Sequence, residues 1–265
     1  MARIFNTIRQ RLLAQNRFTR YLIYAIGEIV LVVIGILIAL QINMWNEGRK
    51  DRVKEQVVLT RLIEEFNSNL QQLDEKIEIR EEIIGSSTKA LDYMDHPEGL
   101  HRDSLMAKIN AMTITPTFDP IINDLVSSGN IRLVRNQKLN RLLTEWPTYV
   151  IQLAELEQEH VNTYRNIMQP AFNRMGISRD LNKLYFGNEK NYSYLLDKNA
   201  GSEIPTLTGS QRPVTLDELT SNKELEGLLS NAIVINHLGN LESRSLRVRI
   251  IEILDLLQQE THDQE

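Results

Sequence analysis

The feature that most constrains this chain is an apolar run over residues 21–42 that contains one charged residue, Glu28. A helix needs about 20 such residues to cross the hydrocarbon core of a bilayer. Tyr24 and Trp45 lie near the two ends of the run, where membrane helices often carry aromatic residues. The middle of the run is apolar on every face, which is typical of a membrane span rather than of a helix in a protein core. We therefore predict a transmembrane helix over residues 21–45.

The charges around this run predict its orientation. The segment 1–20 contains five arginines and no acidic residue, whereas basic and acidic residues alternate after Trp45. The cleaner positive flank of a membrane helix stays in the cytoplasm. A cleaved signal peptide would have a shorter apolar stretch and a small-x-small site, which residues 38–43 lack. We predict a basic cytoplasmic head over 1–20, a retained anchor in the inner (cytoplasmic) membrane, and a periplasmic domain over 46–265.

Two features inside the apolar run are candidates for contact with another helix. Gly35 and Ala39 form a small-xxx-small pair, which allows close approach of a second membrane helix. Glu28 is a carboxylate in a membrane segment, where such groups often mark a proton path or a partner contact. The alternatives are that the small residues have no packing role and that Glu28 reaches the membrane interface or is protonated.

Composition excludes several classes of protein. The chain has no cysteine, so a disulfide scaffold, a thiol nucleophile and cysteine-based metal sites are excluded. Its net charge is −5 although the head is basic, so the domain after the membrane segment is acidic. An acidic surface is unsuited to phosphate backbones, and we therefore expect no nucleic-acid partner.

Two stretches of the chain resemble a known family. They are RFTRYLIYAIGEIVLVVIGILIALQINMWNEGRK at residues 17–50 and DPIINDLVSSGNIRLVRNQKLNRLL at residues 119–143. Both are similar to a family of bacterial single-pass membrane proteins known only as domain of unknown function 6090. The resemblance implies an envelope protein of a Gram-negative bacterium. It implies no activity, ligand or catalytic residue.

The remainder of the chain predicts an all-α bundle. Apolar residues recur at three- and four-residue steps over 47–84, 137–170 and 222–260, and no segment shows sustained alternation. These three long helices are expected to form one bundle with short helices beside them.

Local signals predict how these helices begin and end. Residues 85–87 (Gly-Ser-Ser) predict a break after the first helix, and Asn136 predicts the cap of the second. Ser221 and Glu224 predict a capping box for the third. We expect the apolar series of that last helix to face the core: Leu225, Leu228, Ala232, Ile235, Leu238, Leu241, Val248, Ile251 and Leu254. Residues 176–215, rich in glycine and proline, predict a mainly irregular excursion.

One cluster of aromatic residues in this excursion is a candidate binding surface. It consists of Tyr185, Phe186, Tyr192 and Tyr194. Tyrosines are enriched at protein interfaces, but packing of the excursion onto the bundle also explains them.

The chain offers little that indicates catalysis. Glu157-x-x-His160 has the spacing of a di-iron ligand pair, but such sites need a second helical pair and two more carboxylates. We therefore predict no metal, no cofactor and no catalytic residues. The leading hypothesis is a membrane-anchored module that binds a protein or ligand, including a second copy, through the membrane helix or the bundle. The alternatives are a subunit of an ion-driven or transport complex that uses Glu28, and an enzyme.

Overall fold

The computed structural model describes residues 18–121, 130–188 and 206–262, and no strand occurs among them. The all-α prediction is therefore confirmed for this part of the chain. The helices are α1 (Phe18–Asp95), α2 (Arg102–Asn110), α3 (Gln137–Thr163), α4 (Gln169–Arg174), α5 (Ser178–Phe186), α6 (Leu216–Thr220) and α7 (Lys223–His262). Two 3₁₀ turns, Ala111–Thr113 and Asn130–Leu133, and a π turn, Tyr164–Met168, complete the regular structure.

The described residues divide into two compact units. The first unit ends at Val57 and consists, where described, of the N-terminal part of α1. Its large apolar side chains from Leu22 to Trp45 are all exposed, and Trp45 is 71% exposed. None of the apolar window is buried, so this segment is not a core helix, and its length and composition make it a candidate membrane span.

Helix α1 continues through the predicted break at residues 85–87, so that prediction was wrong. A β-carbon added at Gly85 would meet no atom within 4 Å, so this glycine serves no close contact. Glycine costs a helix about 1 kcal/mol relative to alanine. Burial of Ile83, Ser87 and Ala90 on the inner face holds the helix together across this point. The chain turns instead at Gly99, whose φ of 71° lies in the left-handed region.

Helix α3 begins as predicted and is prolonged by an irregular turn. Asn136 caps it, because its side-chain oxygen accepts a hydrogen bond from the Leu139 amide at 3.0 Å. Near the other end, the Gln169 amide bonds the Tyr164 carbonyl in a π turn. Pro170 has no amide hydrogen and cannot continue an α-helical ladder, which accounts for the irregularity at this place.

The second unit, from Val58 onward, contains two hydrophobic clusters. We call them the proximal and the distal cluster. The proximal cluster contains buried apolar residues from 59–77 of α1, 246–257 of α7 and α3, together with the single residues Phe118 and Val134. The distal cluster takes residues 83–94 of α1 and 225–232 of α7, together with α2, α4 and α5. On both long helices, the buried residues between the clusters are polar: Arg80, Asn236, Asn240 and Ser243.

Two predictions for α7 were wrong. The capping residue is Asn222, whose side-chain oxygen accepts from the Glu224 and Leu225 amides at 3.0 and 3.1 Å. Ser221 instead follows α6 and donates to the Asp217 carbonyl at 2.6 Å. Three residues expected in the core, Leu238, Leu241 and Val248, are also exposed, whereas Leu225, Leu228, Ala232 and Leu254 are buried as expected.

Candidate functional site

The continuous α1 helix places the three candidate membrane residues on one side of the helix. Glu28 and Gly35 are seven residues apart, or about two turns, and Ala39 follows one turn later. All three are exposed, and a β-carbon at Gly35 would meet no atom within 4 Å. Nothing in the described chain therefore occupies this face. The proposed roles of Glu28, Gly35 and Ala39 stay predictions.

Only half of the predicted aromatic cluster can be located. Tyr185 and Phe186 lie at the end of α5 with their rings 5.3 Å apart in an edge-to-face arrangement. Tyr192 and Tyr194 lie outside the described residues. The cluster stays a prediction as a binding surface.

The excursion is pinned to the bundle beside these aromatic residues. Asp180 of α5 is buried and accepts hydrogen bonds from the Arg102 guanidinium of α2 and from the Ser210 amide. The neighbouring Arg179 bonds the carbonyl of Thr208 at 2.9 Å. Burial opposes ionisation of Asp180, but the Ser210 amide and Arg102 outweigh it and lower the pKa of Asp180. The carboxylate therefore ties the returning chain at 208–210 to α2 and α5.

The most concentrated chemistry in the second unit is a buried ion pair between Arg80 and Glu157. Both side chains are at most 5% exposed, and the guanidinium donates to the carboxylate. Arg80 also donates to the Ser243 hydroxyl at 2.9 Å and to the Pro116 carbonyl at 3.4 Å. Glu157 accepts from the Phe118 amide at 2.9 Å. One pair thus joins α1, α3, α7 and the connection that contains Pro116 and Phe118. We call it the polar centre.

His160 lies one turn after Glu157 on α3 and is 5% exposed. Burial, followed by the positive charge of Arg80, lowers the pKa of His160 to about 4. Burial also raises the pKa of Glu157, although the Phe118 amide and Arg80 oppose that shift. At neutral pH the His160 imidazole beside the polar centre is therefore uncharged.

Glu157 of the Glu157-x-x-His160 motif belongs to the polar centre. Within the described ranges, no group of three or more histidine, aspartate or glutamate side chains is placed to hold a metal ion. Glu157 is occupied by Arg80 and by the Phe118 amide. The arrangement is that of a structural ion pair, in which hydrogen bonds to several elements compensate for the loss of water.

Sequence reasoning did not identify Arg80, although the sequence contains a signal for it. The apolar series of the first helix steps from Ile77 to Ile84, and Arg80 occupies the inner position that this series skips. Small and polar residues line the opposing stretch of α7. A β-carbon added at Gly239 would lie 3.1 Å from Nε of Arg80. A charged residue in a skipped core position, opposite glycine and serine, indicates a buried ion pair.

The outer face of α7 carries an exposed apolar stripe. Val234, Leu238, Leu241 and Val248 are 55%, 47%, 49% and 65% exposed. Their spacing of four, three and seven residues is that of a heptad seam, in which Ser245 takes the remaining position. We call these four side chains the α7 stripe. Exposed aliphatic residues in one row mark an interaction surface more often than scattered ones do.

Comparison with known proteins gives one family match and no activity. Residues 28–153 match DUF6090, a family of unknown function. The resemblance seen in the sequence is therefore confirmed over these residues. The matched region contains the α1 residues from Glu28 onward and the chain through Leu153, but it ends before Glu157. No curated protein and no solved structure matches the chain.

Proposed function

We propose that this protein is a single-pass, membrane-anchored helical module of the cell envelope that associates with a second copy of itself through the α7 stripe. The observation that carries the proposal is the exposure of four aliphatic side chains in heptad spacing on α7. The candidate membrane span at the start of α1 supports the anchoring. The arginines before it support a cytoplasmic N-terminus and a periplasmic second unit.

A second copy fits the stripe because its spacing is self-complementary. Val234 and Val248 each lie seven residues from Leu241. Leu241 therefore meets its own counterpart both in a parallel pair in register and in an antiparallel pair centred on this residue. In the parallel pair, the exposed His237 of one copy also lies beside Glu242 of the other, as flanking residues of a heptad seam do.

The size of the stripe suits association within a membrane rather than in free solution. The surface area that four aliphatic residues per copy can bury is well below the roughly 1,200 Å² of a stable interface. Confinement of two copies to one membrane raises their effective concentration, which strengthens a weak contact without new interactions. We therefore expect dimers in membranes and mainly monomers after dilution in detergent.

Absence of cysteine allows a direct test in intact membranes. Leu241→Cys should form a disulfide-linked dimer under mild oxidation, whereas the exposed control Gln259→Cys on the same helix should not. Val234→Cys should crosslink with itself in a parallel pair, and only with Val248→Cys in an antiparallel pair. Equal crosslinking of Leu241→Cys and Gln259→Cys would contradict the proposal, since it would reflect random collision.

A second candidate function is a subunit of an ion-driven or transport complex. The alignment of Glu28, Gly35 and Ala39 on one exposed side of α1 favours it. Replacement of residues 21–45 by an unrelated spanning helix separates the two candidates. The α7 contact requires only an anchor, so the chain with the replaced helix should still form the Leu241→Cys crosslink. A complex that uses Glu28 should be lost both after this replacement and with Glu28→Gln, at unchanged levels of inserted protein.

A further inference from the structure

The connection Ile114–Ile121 follows the 3₁₀ turn Ala111–Thr113, and we call it the strap. Pro116 and Phe118 are buried, and the Phe118 ring belongs to the proximal cluster. The strap has no secondary structure of its own, so side chains of the helices satisfy its backbone groups. A change in the protonation of those side chains therefore alters the hydrogen bonds that hold the strap.

Two different kinds of group hold the two ends of the strap. At its first half, Pro116 and Phe118 bond the ionised side chains of Arg80 and Glu157. At its second half, the Ile121 backbone exchanges two hydrogen bonds with the Asn69 amide group at 2.8 and 2.9 Å. The Asp119 amide also donates to Gln72 at 3.0 Å. Protonation can change the first pair of contacts, whereas the amide side chains of the second do not titrate.

We propose that the polar centre is an acid-sensitive latch, which releases the first half of the strap when Glu157 and His160 take up protons. At neutral pH the anion of Glu157 balances Arg80, and His160 carries no charge. Proton uptake leaves Arg80 without its counterion and adds a second cation next to it in a buried place. Like charges in a low-dielectric interior repel strongly. The first half of the strap then loses its partners while the second half stays attached.

The surroundings of the polar centre contain few other charges. From α1, Arg80 and Lys76 act on Glu157, and Arg80 acts on His160. From α7, the neighbours Ser243 and Gly239 are uncharged. The strap contributes its backbone only. Among these groups the cations outnumber the anions, so each added proton increases the imbalance.

The sign of the effect follows from the two pKa directions. The pKa of His160 is lowered to about 4, so the stability that neutral His160 gives is present above the unfolded value of about 6.5 and is lost as the pH falls through about 4. Glu157 acts in the opposite sense on global stability because its pKa is raised. Its protonation nevertheless occurs closer to neutral pH than that of an ordinary glutamate, and it removes the anion that holds Arg80. Release is therefore expected on acidification toward about pH 4, where His160 takes up its proton.

Spin labels on the full chain in lipid nanodiscs test the latch. One pair of labels, at Thr117→Cys and Gln71→Cys, reports on the strap, since both positions are exposed. The control pair, at Gln71→Cys and Asp255→Cys, reports on the distance between α1 and α7. We expect the strap distance to broaden between about pH 7 and about pH 4 while the control distance stays narrow. An unchanged strap distance, or a simultaneous change of both pairs, would overturn the proposal.

Two substitutions identify the groups responsible. His160→Gln should shift the release to lower pH because one cation is no longer formed, whereas the exposed control His237→Gln should leave it unchanged. Glu157→Gln imitates the protonated acid and should broaden the strap distance already at neutral pH. If Glu157→Gln prevents folding, the comparison of His160→Gln with His237→Gln still decides, since equal release in both variants would contradict the latch.

Discussion

The polar centre shows how a few residues can reverse the pattern expected of a core. Arg80 lies where an aliphatic residue would continue the series of α1, and α7 accommodates it with Gly239 and Ser243. Replacement of such a pair by apolar residues is often tolerated, whereas removal of one partner is costly because a charge stays buried. Ser243 on α7 is thus explained by one arginine on another helix.

Substitution of Gly239 tests how closely α7 packs against Arg80. Gly239→Ala should destabilise the second unit by roughly 1–3 kcal/mol, because the new methyl group lies within 3.1 Å of Nε and 3.3 Å of Cδ of Arg80. Gly227→Ala, on the same helix with open space around it, should stabilise by up to about 1 kcal/mol. Denaturant unfolding of the two variants measures the difference. Equal effects of both would show that Arg80 moves aside without cost.

At the scale of the elements, periodicity predicted the long helices but not which residues in the middle of the last one are buried. Three- and four-residue steps also fit the exposed Leu238, Leu241 and Val248. The inner side of this middle part carries Asn236, Asn240 and Ser243, and the Ser243 hydroxyl accepts a hydrogen bond from Arg80, which is 163 residues away. Contacts over such separations leave one local trace, the charge of Arg80 in a skipped inner position. The partners of Arg80 on other helices could therefore not be predicted from single segments.

The start of α7 offers a prediction at this scale. Asn222→Ala should destabilise the helix by about 1 kcal/mol, because two backbone amides lose their acceptor. Ser221→Ala should have a much smaller effect, since its hydroxyl only donates to the exposed Asp217 carbonyl. Thermal unfolding followed by circular dichroism compares the two variants. A larger loss of stability for Ser221→Ala than for Asn222→Ala would contradict this assignment and favour Ser221 as the cap.

At the scale of the whole molecule, the chain combines one unit whose apolar side chains are exposed with one that has its own core. Leu31 in the first unit is 68% exposed, whereas Leu62 and Leu73 in the second are fully buried. Exposure of a complete apolar helix is stable only where lipid or another protein replaces water. The exposed apolar run is therefore the part of the molecule that composition identified most directly.

The orientation of the chain in the membrane is the prediction that belongs to this scale. A reporter active only in the periplasm should be active after Glu265 and inactive before Arg3. Protease added to spheroplasts should digest the second unit. Neutral replacement of Arg17 and Arg20 should lower the fraction of chains with this orientation, because positive charge holds the N-terminus in the cytoplasm. Protection of the second unit from protease would contradict the proposed topology.

The placement of α7 at the C-terminal end of the described chain has a consequence for biosynthesis. This helix supplies one side of both hydrophobic clusters and the hydroxyl that Arg80 binds. Contacts that close so late in the sequence cannot form while the ribosome is still translating the earlier helices. A nascent chain that ends before α7 therefore presents an incomplete core and a charged arginine to its surroundings. Premature termination in this gene should thus produce chains that quality-control proteases remove, rather than shortened domains that accumulate.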